Sequence, residues 1–239
     1  MNRLLFAAYS DSHWGDLSER DDHTPADLAR MVNELETIGP LCQRDDAPIA
    51  LAGDIAEGKL YLVEDCIRAN RSMFQLTAQA APKVWWLHGN HDEELTQRML
   101  RANKINITLR PSVIIDGWLI FHNQESDPEP VIWRKVGNGA CSLLAWIGNN
   151  ISHKLEDKAH RWASSLTGSG RNGTPERYIK GAVKFAQQYG CKGVVFGHTH
   201  QAGQGVYQGV QWVDLGTWKE NGWACVWSDG TVTRYRGQA

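Results

Sequence analysis

Five short polar clusters carry the chemistry in this 239-residue chain: Asp11-Ser12-His13, Gly53-Asp54, Gly89-Asn90-His91-Asp92, the single His122, and Gly197-His198-Thr199-His200. Together they offer two carboxylates (Asp11, Asp54), an amide oxygen (Asn90) and four imidazoles (His13, His122, His198, His200). That set is too large for one catalytic zinc, which usually has three protein ligands, and it suits two divalent cations. Hard oxygen mixed with borderline nitrogen favours Mn²⁺, with Fe or Zn²⁺ as alternatives, over Mg²⁺ or Ca²⁺. Glycine directly before Asp54, Asn90 and His198 allows the tight turns that aim each side chain at one centre.

The elements between the clusters are those that would position them. Brief apolar runs at 4–10, 48–51, 84–87, 118–121 and 194–196 read as buried strands, each ending where a polar cluster begins. Thr24-Pro25 opens a helix that runs to about Ile38, a second helix fills 59–80, and a shorter one follows Asp92, itself a candidate helix cap. Strands alternating with helices predict an α/β sheet, and such sheets bind ligands beyond the carboxyl ends of their strands. The tail differs. Strand-like pieces at 206–207, 210–213, 223–227 and 232–235, with turn residues Gly209 and Asp229-Gly230, predict a second, mainly antiparallel sheet.

Residues 131–190 hold nine Lys/Arg against three acids, a net +6 in a chain whose total is −2. With an apolar patch at 140–147, a Gly/Ser/Asn-rich break at 167–173 and a helix opened by Thr174-Pro175 that ends near Gly190, this stretch reads as a basic helical cap. It is inserted into a core made of 1–130 and 191–239.

The near-neutral total excludes a strong nucleic-acid or membrane field over the whole molecule, so no stable nucleic-acid complex is expected, while peripheral membrane contact stays open. No run approaches the roughly 20 apolar residues of a membrane span, and the first apolar stretch is too short for a signal-peptide core. Five cysteines with no CxxC spacing point to buried thiols in a reducing cytoplasm. Among eleven tryptophans, Trp85, Trp86, Trp223 and Trp227 read as core or sheet-face residues, while Trp14, next to His13, is placed at the mouth of the site. His23, His153 and His160 are expected at the surface, and His88 in a supporting role.

In this order the clusters D-x-H, G-D, G-N-H-D, a lone His and G-H-T-H resemble the calcineurin-like metallophosphoesterase superfamily. The resemblance implies a two-sheet αββα sandwich of the α/β class carrying the cap, and an enzyme with two divalent metal ions. It assigns Asp11, His13 and His200 to one metal, Asn90, His122 and His198 to the other, and Asp54 to both. His91 is then the catalytic imidazole, stabilising charge or protonating the leaving oxygen. Glu57, at the acidic position of GD-x-x-[D/E], is the candidate that orients it, and Asp92 is the rival.

GDIAEGK at 53–59 lacks the Arg-Gly that follows GD in Ser/Thr protein phosphatases. The lone His122 followed by Asp127-Pro128, the basic insert, GHTH and the segment DLGTWKE at 214–220 are similar to the branch containing UDP-2,3-diacylglucosamine hydrolases, although those usually have Arg at the position of His91 and HG where this chain has His122-Asn123. The expected substrate is a phosphorylated small molecule or a nucleotide-linked one, cleaved as a phosphodiester, pyrophosphate or phosphomonoester. Arg134, Lys154, Lys158 and Arg161 are candidates to bind it. A lipid-linked pyrophosphate, a protein or nucleotide phosphatase, a nuclease and a non-catalytic metal-binding module are the alternatives.

Overall fold

The computed structural model describes residues 2–18, 21, 23–124 and 176–237. Eleven strands and six helices occur among them. The chain order is β1 (Leu4–Tyr9), α1 (Pro25–Asp45), β2 (Ile49–Leu51), α2 (Val63–Ala69), α3 (Arg71–Ala80), β3 (Val84–Leu87), α4 (Gln97–Ala102), β4 (Thr108–Arg110), β5 (Ser112–Ile115), β6 (Trp118–Phe121), α5 (Glu176–Gln188), β7 (Gly193–Phe196), β8 (Gly203–Tyr207), β9 (Val210–Asp214), α6 (Trp218–Asn221), β10 (Trp223–Trp227) and β11 (Val232–Tyr235).

Two sheets form, in the orders β11-β10-β1-β2-β3-β4 and β5-β6-β7-β9-β8. β1 to β4 are mutually parallel, as are β6, β7 and β9. The two faces of β1, whose alternation is interrupted by an irregularity between Leu4 and Phe6, explain the layering. Leu4, Ala7 and Tyr9 face α1 to α3, while Leu5, Phe6 and Ala8 face Trp118, Ile120, Val195 and Val213 of the second sheet. The outer face of that second sheet packs Leu119, Phe121, Val194 and Phe196 against Tyr178, Ala182, Val183 and Ala186 of α5. Strands covered on both faces read as unbroken apolar runs, which is why these runs stand out in the sequence. The layers are helix, sheet, sheet, helix: the expected αββα sandwich. No helix among the described residues is long and apolar enough to cross a membrane.

Several expectations need correction. The tail strands do not make a sheet of their own: β8 and β9 extend the second sheet beside β7, while β10 pairs antiparallel with β1 and carries β11. β10 is buried on both faces, Ala224 and Val226 between the sheets and Trp223 and Cys225 on the helix side, so it belongs within the stack. α1 runs past Ile38 and through Pro40 to Asp45, because the buried stripe Met31, Leu35, Ile38, Cys42 continues past the proline. Its start is as expected, Thr24 and Asp27 forming a capping box. The helix expected over 59–80 begins at Val63 and breaks at Asn70, whose buried amide donates to the Gly15 and Cys66 carbonyls. β4 (Thr108-Leu109-Arg110) lacks the apolar signature and β5 (Ser112-Val113-Ile114-Ile115) is short and half-exposed; Pro111 between them marks where the chain changes sheets.

The helix at the end of the basic stretch, α5, packs on β7 and β9 as part of the sandwich. The remaining cap features, 131–175 with Arg134, Lys154, Lys158, Arg161, His153 and His160, lie outside the described residues.

Candidate metal centre

The carboxyl ends of β1, β2, β3, β6 and β7 meet along one edge of the sandwich. Asp11 and His13 follow β1, Asp54 follows β2, Asn90 and His91 follow β3, His122 follows β6, and His198 and His200 follow β7. Beyond β1 and β2 the two chains keep pairing: Asp11 N–H donates to Gly53 O (3.1 Å), His13 N–H to Asp54 O (3.0 Å) and Trp14 N–H to Ile55 O (2.8 Å). This continued pairing carries Trp14 inside, where it is 0% exposed and packs at a tilt against His23 (4.0 Å between centroids) and Trp218 (5.3 Å). Trp14 therefore does not line the mouth, and His23, expected at the surface, is buried beside it.

Each aspartate is held by one oxygen and offers the other. Asp11 Oδ2 accepts from His198 N–H (3.0 Å), leaving Oδ1 3.3 Å from His200 Nε2. Asp54 Oδ1 accepts from His91 N–H (2.7 Å), leaving Oδ2 3.1 Å from His122 Nε2. The imidazoles are oriented in the same way. His122 Nδ1 lies 2.9 Å from the Ala52 carbonyl, which can only accept, so Nδ1 carries the proton and Nε2 faces the centre. One carboxylate orients two rings: Glu57 Oε1 lies 2.6 Å from His91 Nδ1 and Oε2 2.9 Å from His13 Nδ1. His13 Nε2 then stands 3.3 Å from His200 Nε2. The reach of Glu57 to His13 as well as His91 is absent from the sequence reading. A Glu side chain long enough to serve two rings was its only trace.

Ligand-capable atoms gather as Asp11, His13 and His200, as Asp54, His122 and His198, and as His13, Asp54 and His91, within 4.8 Å in each group. Asn90 Oδ1 is buried with no hydrogen-bond partner among the described residues, and the buried Asp11 Oδ1 and His122 Nε2 face only the other donors of the cluster, His200 Nε2 and Asp54 Oδ2. Buried polar atoms are rarely left so, and convergent lone pairs of this kind fit a pair of cations. The backbone also bears the mark of a functional site. Asp11, His13, Asp54, His198 and His200 all have φ between 49° and 73°, a region non-glycine residues occupy when their surroundings over-determine them. Close approach needs Gly53, where a Cβ would come within 2.5 Å of the His122 ring, and Gly89, where it would collide with Asp54.

Charges in the cluster compensate one another. Burial raises the Asp54 carboxyl, but His122 and His91 outweigh it and hold it well below the usual range. Asp11 is likewise brought to about 2, against burial, by its bond to His200 and by the charge of His122. Burial disfavours charged His122, yet Asp54 raises it to about 10; Glu57 raises His13 to about 9 against the same penalty. A cation bound among these carboxylates would replace imidazole protons.

Asp92 neither partners His91 nor caps a helix. Its Oδ2 accepts from Ile55 N–H (2.9 Å) and Trp86 Nε1 (2.8 Å) and its Oδ1 from Gly89 N–H (2.6 Å), so it clamps the loops after β2 and β3 together. α4 starts later, capped by Thr96. Burial, and then the Asp54 charge, raises the Asp92 carboxyl.

A family model described as calcineurin-like phosphoesterase matches residues 4–202. No curated protein sequence matches the chain. Solved structures similar to it include a predicted phosphoesterase from Streptococcus pneumoniae (11% identity, 99% of this chain and 90% of that one, TM-score 0.45). A Vps29 variant from Entamoeba histolytica (11%, 100% and 99%, TM-score 0.46) and a phosphopantetheinyl hydrolase from Mycobacterium tuberculosis (13%, 97% and 95%, TM-score 0.42) are two more.

Proposed function

We propose that this chain, which belongs to the calcineurin-like phosphoesterase family, is a hydrolase that uses two divalent metal ions, Mn²⁺ first among them, to cleave a phosphodiester or pyrophosphate, with phosphomonoesters as the alternative. The observation that carries the reading is the convergence of Asp11, His13, Asp54, His122, His198 and His200 from four strand ends, with Asn90 Oδ1 after a fifth strand buried and lacking a hydrogen-bond partner among the described residues. Asp11, His13 and His200 would hold one ion, and Asn90, His122 and His198 the other, with Asp54 touching both. When bound, such a pair supplies the Lewis acidity that polarises a phosphoryl oxygen and makes water nucleophilic near neutral pH.

The chain's own residues do the remaining work. Glu57 holds His91 by Nδ1, which leaves Nε2 on the side of Asp54, 3.9 Å from its Oδ2. From there His91 donates a proton to the leaving oxygen, and the Glu57 carboxylate stabilises the charged ring. Asp92 keeps the loops bearing Asp54 and His91 at fixed separation through three hydrogen bonds. The substrate we infer is a phosphorylated small molecule or a nucleotide-linked one; the net +6 of residues 131–190 supports an extra anionic group beyond the scissile phosphate. A UDP-2,3-diacylglucosamine-type pyrophosphate is the specific candidate from the resemblance of GHTH and DLGTWKE.

The test is hydrolysis of bis(p-nitrophenyl) phosphate by metal-stripped protein before and after Mn²⁺ addition. Turnover restored by Mn²⁺ in the wild type and lost in Asp54→Asn is expected. Bound Mn²⁺ with no turnover of this diester, of p-nitrophenyl phosphate or of nucleotide-linked pyrophosphates would leave a binding module in place of an enzyme.

A further inference from the structure

The segment after β9 ties together groups that the catalytic reading leaves unused. Leu215 N–H donates to Phe196 O (2.7 Å), Ser10 Oγ donates to Gly216 O (3.1 Å), and Trp218 N–H donates to Ser10 O (2.9 Å). Ser10 directly precedes Asp11, and Phe196 lies two residues before His198, so this one strap fixes the ends of both β1 and β7. Arg234 of β11 in the other sheet donates to the carbonyls of Asp214 and Leu215 and anchors the strap from outside. Gly216, at φ 63°, runs so close to the loop after His200 that a Cβ would stand 2.8 Å from Ala202 N.

At the head of the strap, Asp214 is fully buried. Its Oδ1 accepts from Gly216 N–H (3.2 Å) and its Oδ2 accepts from the Thr199 hydroxyl. That hydroxyl also accepts from Gln201 N–H (3.1 Å). Thr199 thus stands between His198 (φ 73°) and His200 (φ 58°) and is fastened on both sides. Two left-handed residues on either side of a single ordinary one need such external support.

We propose that Thr199 and Asp214 are positioning residues for the metal centre: their hydroxyl–carboxylate pair sets the direction of both imidazoles of the His-x-His segment relative to Asp11. The middle residue of that segment is then a structural lock instead of a spacer. This rests on the reading of the edge as a metal centre, and it assigns a role to DLGTWKE, a segment that contributes no metal donor. Groups that orient ligands without touching the ion commonly change metal affinity strongly.

The experiment is calorimetric titration of Mn²⁺ into metal-stripped full-length protein, comparing wild type, Thr199→Val, Thr199→Ser and Asp214→Asn, with the metal-free melting temperature of each. The expected result is about 10- to 100-fold weaker Mn²⁺ binding in Thr199→Val and Asp214→Asn, with Thr199→Ser within about threefold of wild type. Thr199→Val, which leaves the buried Asp214 carboxylate one donor short, should stay folded with a modestly lowered metal-free melting temperature, and it decides alone if Asp214→Asn fails to fold. Wild-type affinity in Thr199→Val, or equal weakening by Val and Ser, would overturn the lock while leaving the metal centre standing. Failure of the wild type itself to bind Mn²⁺ would overturn the reading of the centre and the lock with it.

Discussion

At the strand ends, buried Asp11, Asp54 and His122 turn their free polar atoms toward one shared space, whereas under α1 the equally buried Glu34 has both oxygens engaged by structural donors. Glu34 Oε2 accepts from Trp218 Nε1 (2.7 Å) and Trp223 Nε1 (3.0 Å), and Oε1 accepts from Gly237 N–H (2.8 Å). Arg30 lies 3.4 Å from Glu34, donates to the Trp218 and Lys219 carbonyls, and stacks over the Trp218 ring at 3.9 Å. Both regions bury charge. One uses its carboxylate to hold an aromatic cluster together, and the other keeps carboxylate and imidazole atoms pointed at a common space. Burial of charge alone therefore does not mark a functional site; convergence of carboxylate and imidazole atoms on one space does.

The comparison can be broken by exchanging the expected consequences. Asp54→Asn should cost at least about 10³-fold in Mn²⁺-dependent turnover of the folded protein, in addition to the stability lost with its His122 pair. Glu34→Gln should lose stability only. Removing one partner of a buried ion pair costs about 3–5 kcal/mol, read as a lower urea midpoint, with Mn²⁺ affinity unchanged in the folded fraction. If Glu34→Gln instead abolished Mn²⁺ binding at full stability, the two regions would not be separable.

Smaller effects sharpen the contrast. His91→Asn should lower kcat about 10²-fold and leave the Mn²⁺ stoichiometry intact, because His91 is read as a proton donor to the substrate and not as a ligand. Weakened Mn²⁺ binding in that variant would move His91 into the ligand set. Trp223→Phe, which removes one donor to Glu34, should cost about 1–3 kcal/mol in stability and nothing in turnover.

Thiols are a third kind of buried group, neutral ones. Burial pushes Cys42 up to about 12, burial together with nearby acids pushes Cys66 up to about 12, and burial pushes Cys225 to about 11. With Cys141, outside the described residues, changed to Ser, these three thiols should resist a thiol reagent at pH 8 until urea is added. Because the folded values lie above the roughly 8.5 of a free thiol, the stability these neutral groups contribute is present below that pH and falls as pH rises beyond it. Rapid labelling of all three in the native state would show the core to be looser than described.

The amino-acid sequence by itself determined the α/β class and the identity of the polar clusters, and the αββα arrangement followed from the family those clusters resemble. Runs buried on both faces are continuous in sequence, and each cluster is set off by a strand on one side and often a glycine on the other, as in Gly53-Asp54 and Gly197-His198. The Thr24 capping box was legible for the same reason: its partners lie within three residues. Contacts between distant residues were decided only by the tertiary structure. Trp14 follows His13 yet turns inward, because pairing between β1 and β2 continues past Asp11 and carries it into the core. Asp92 follows His91 yet serves Ile55, Trp86 and Gly89. Glu57 reaches His13, 44 positions earlier in the sequence, and Asp214 reaches Thr199. The tail strands divide between two sheets because what each strand covers depends on its neighbours in space, and no local pattern records that.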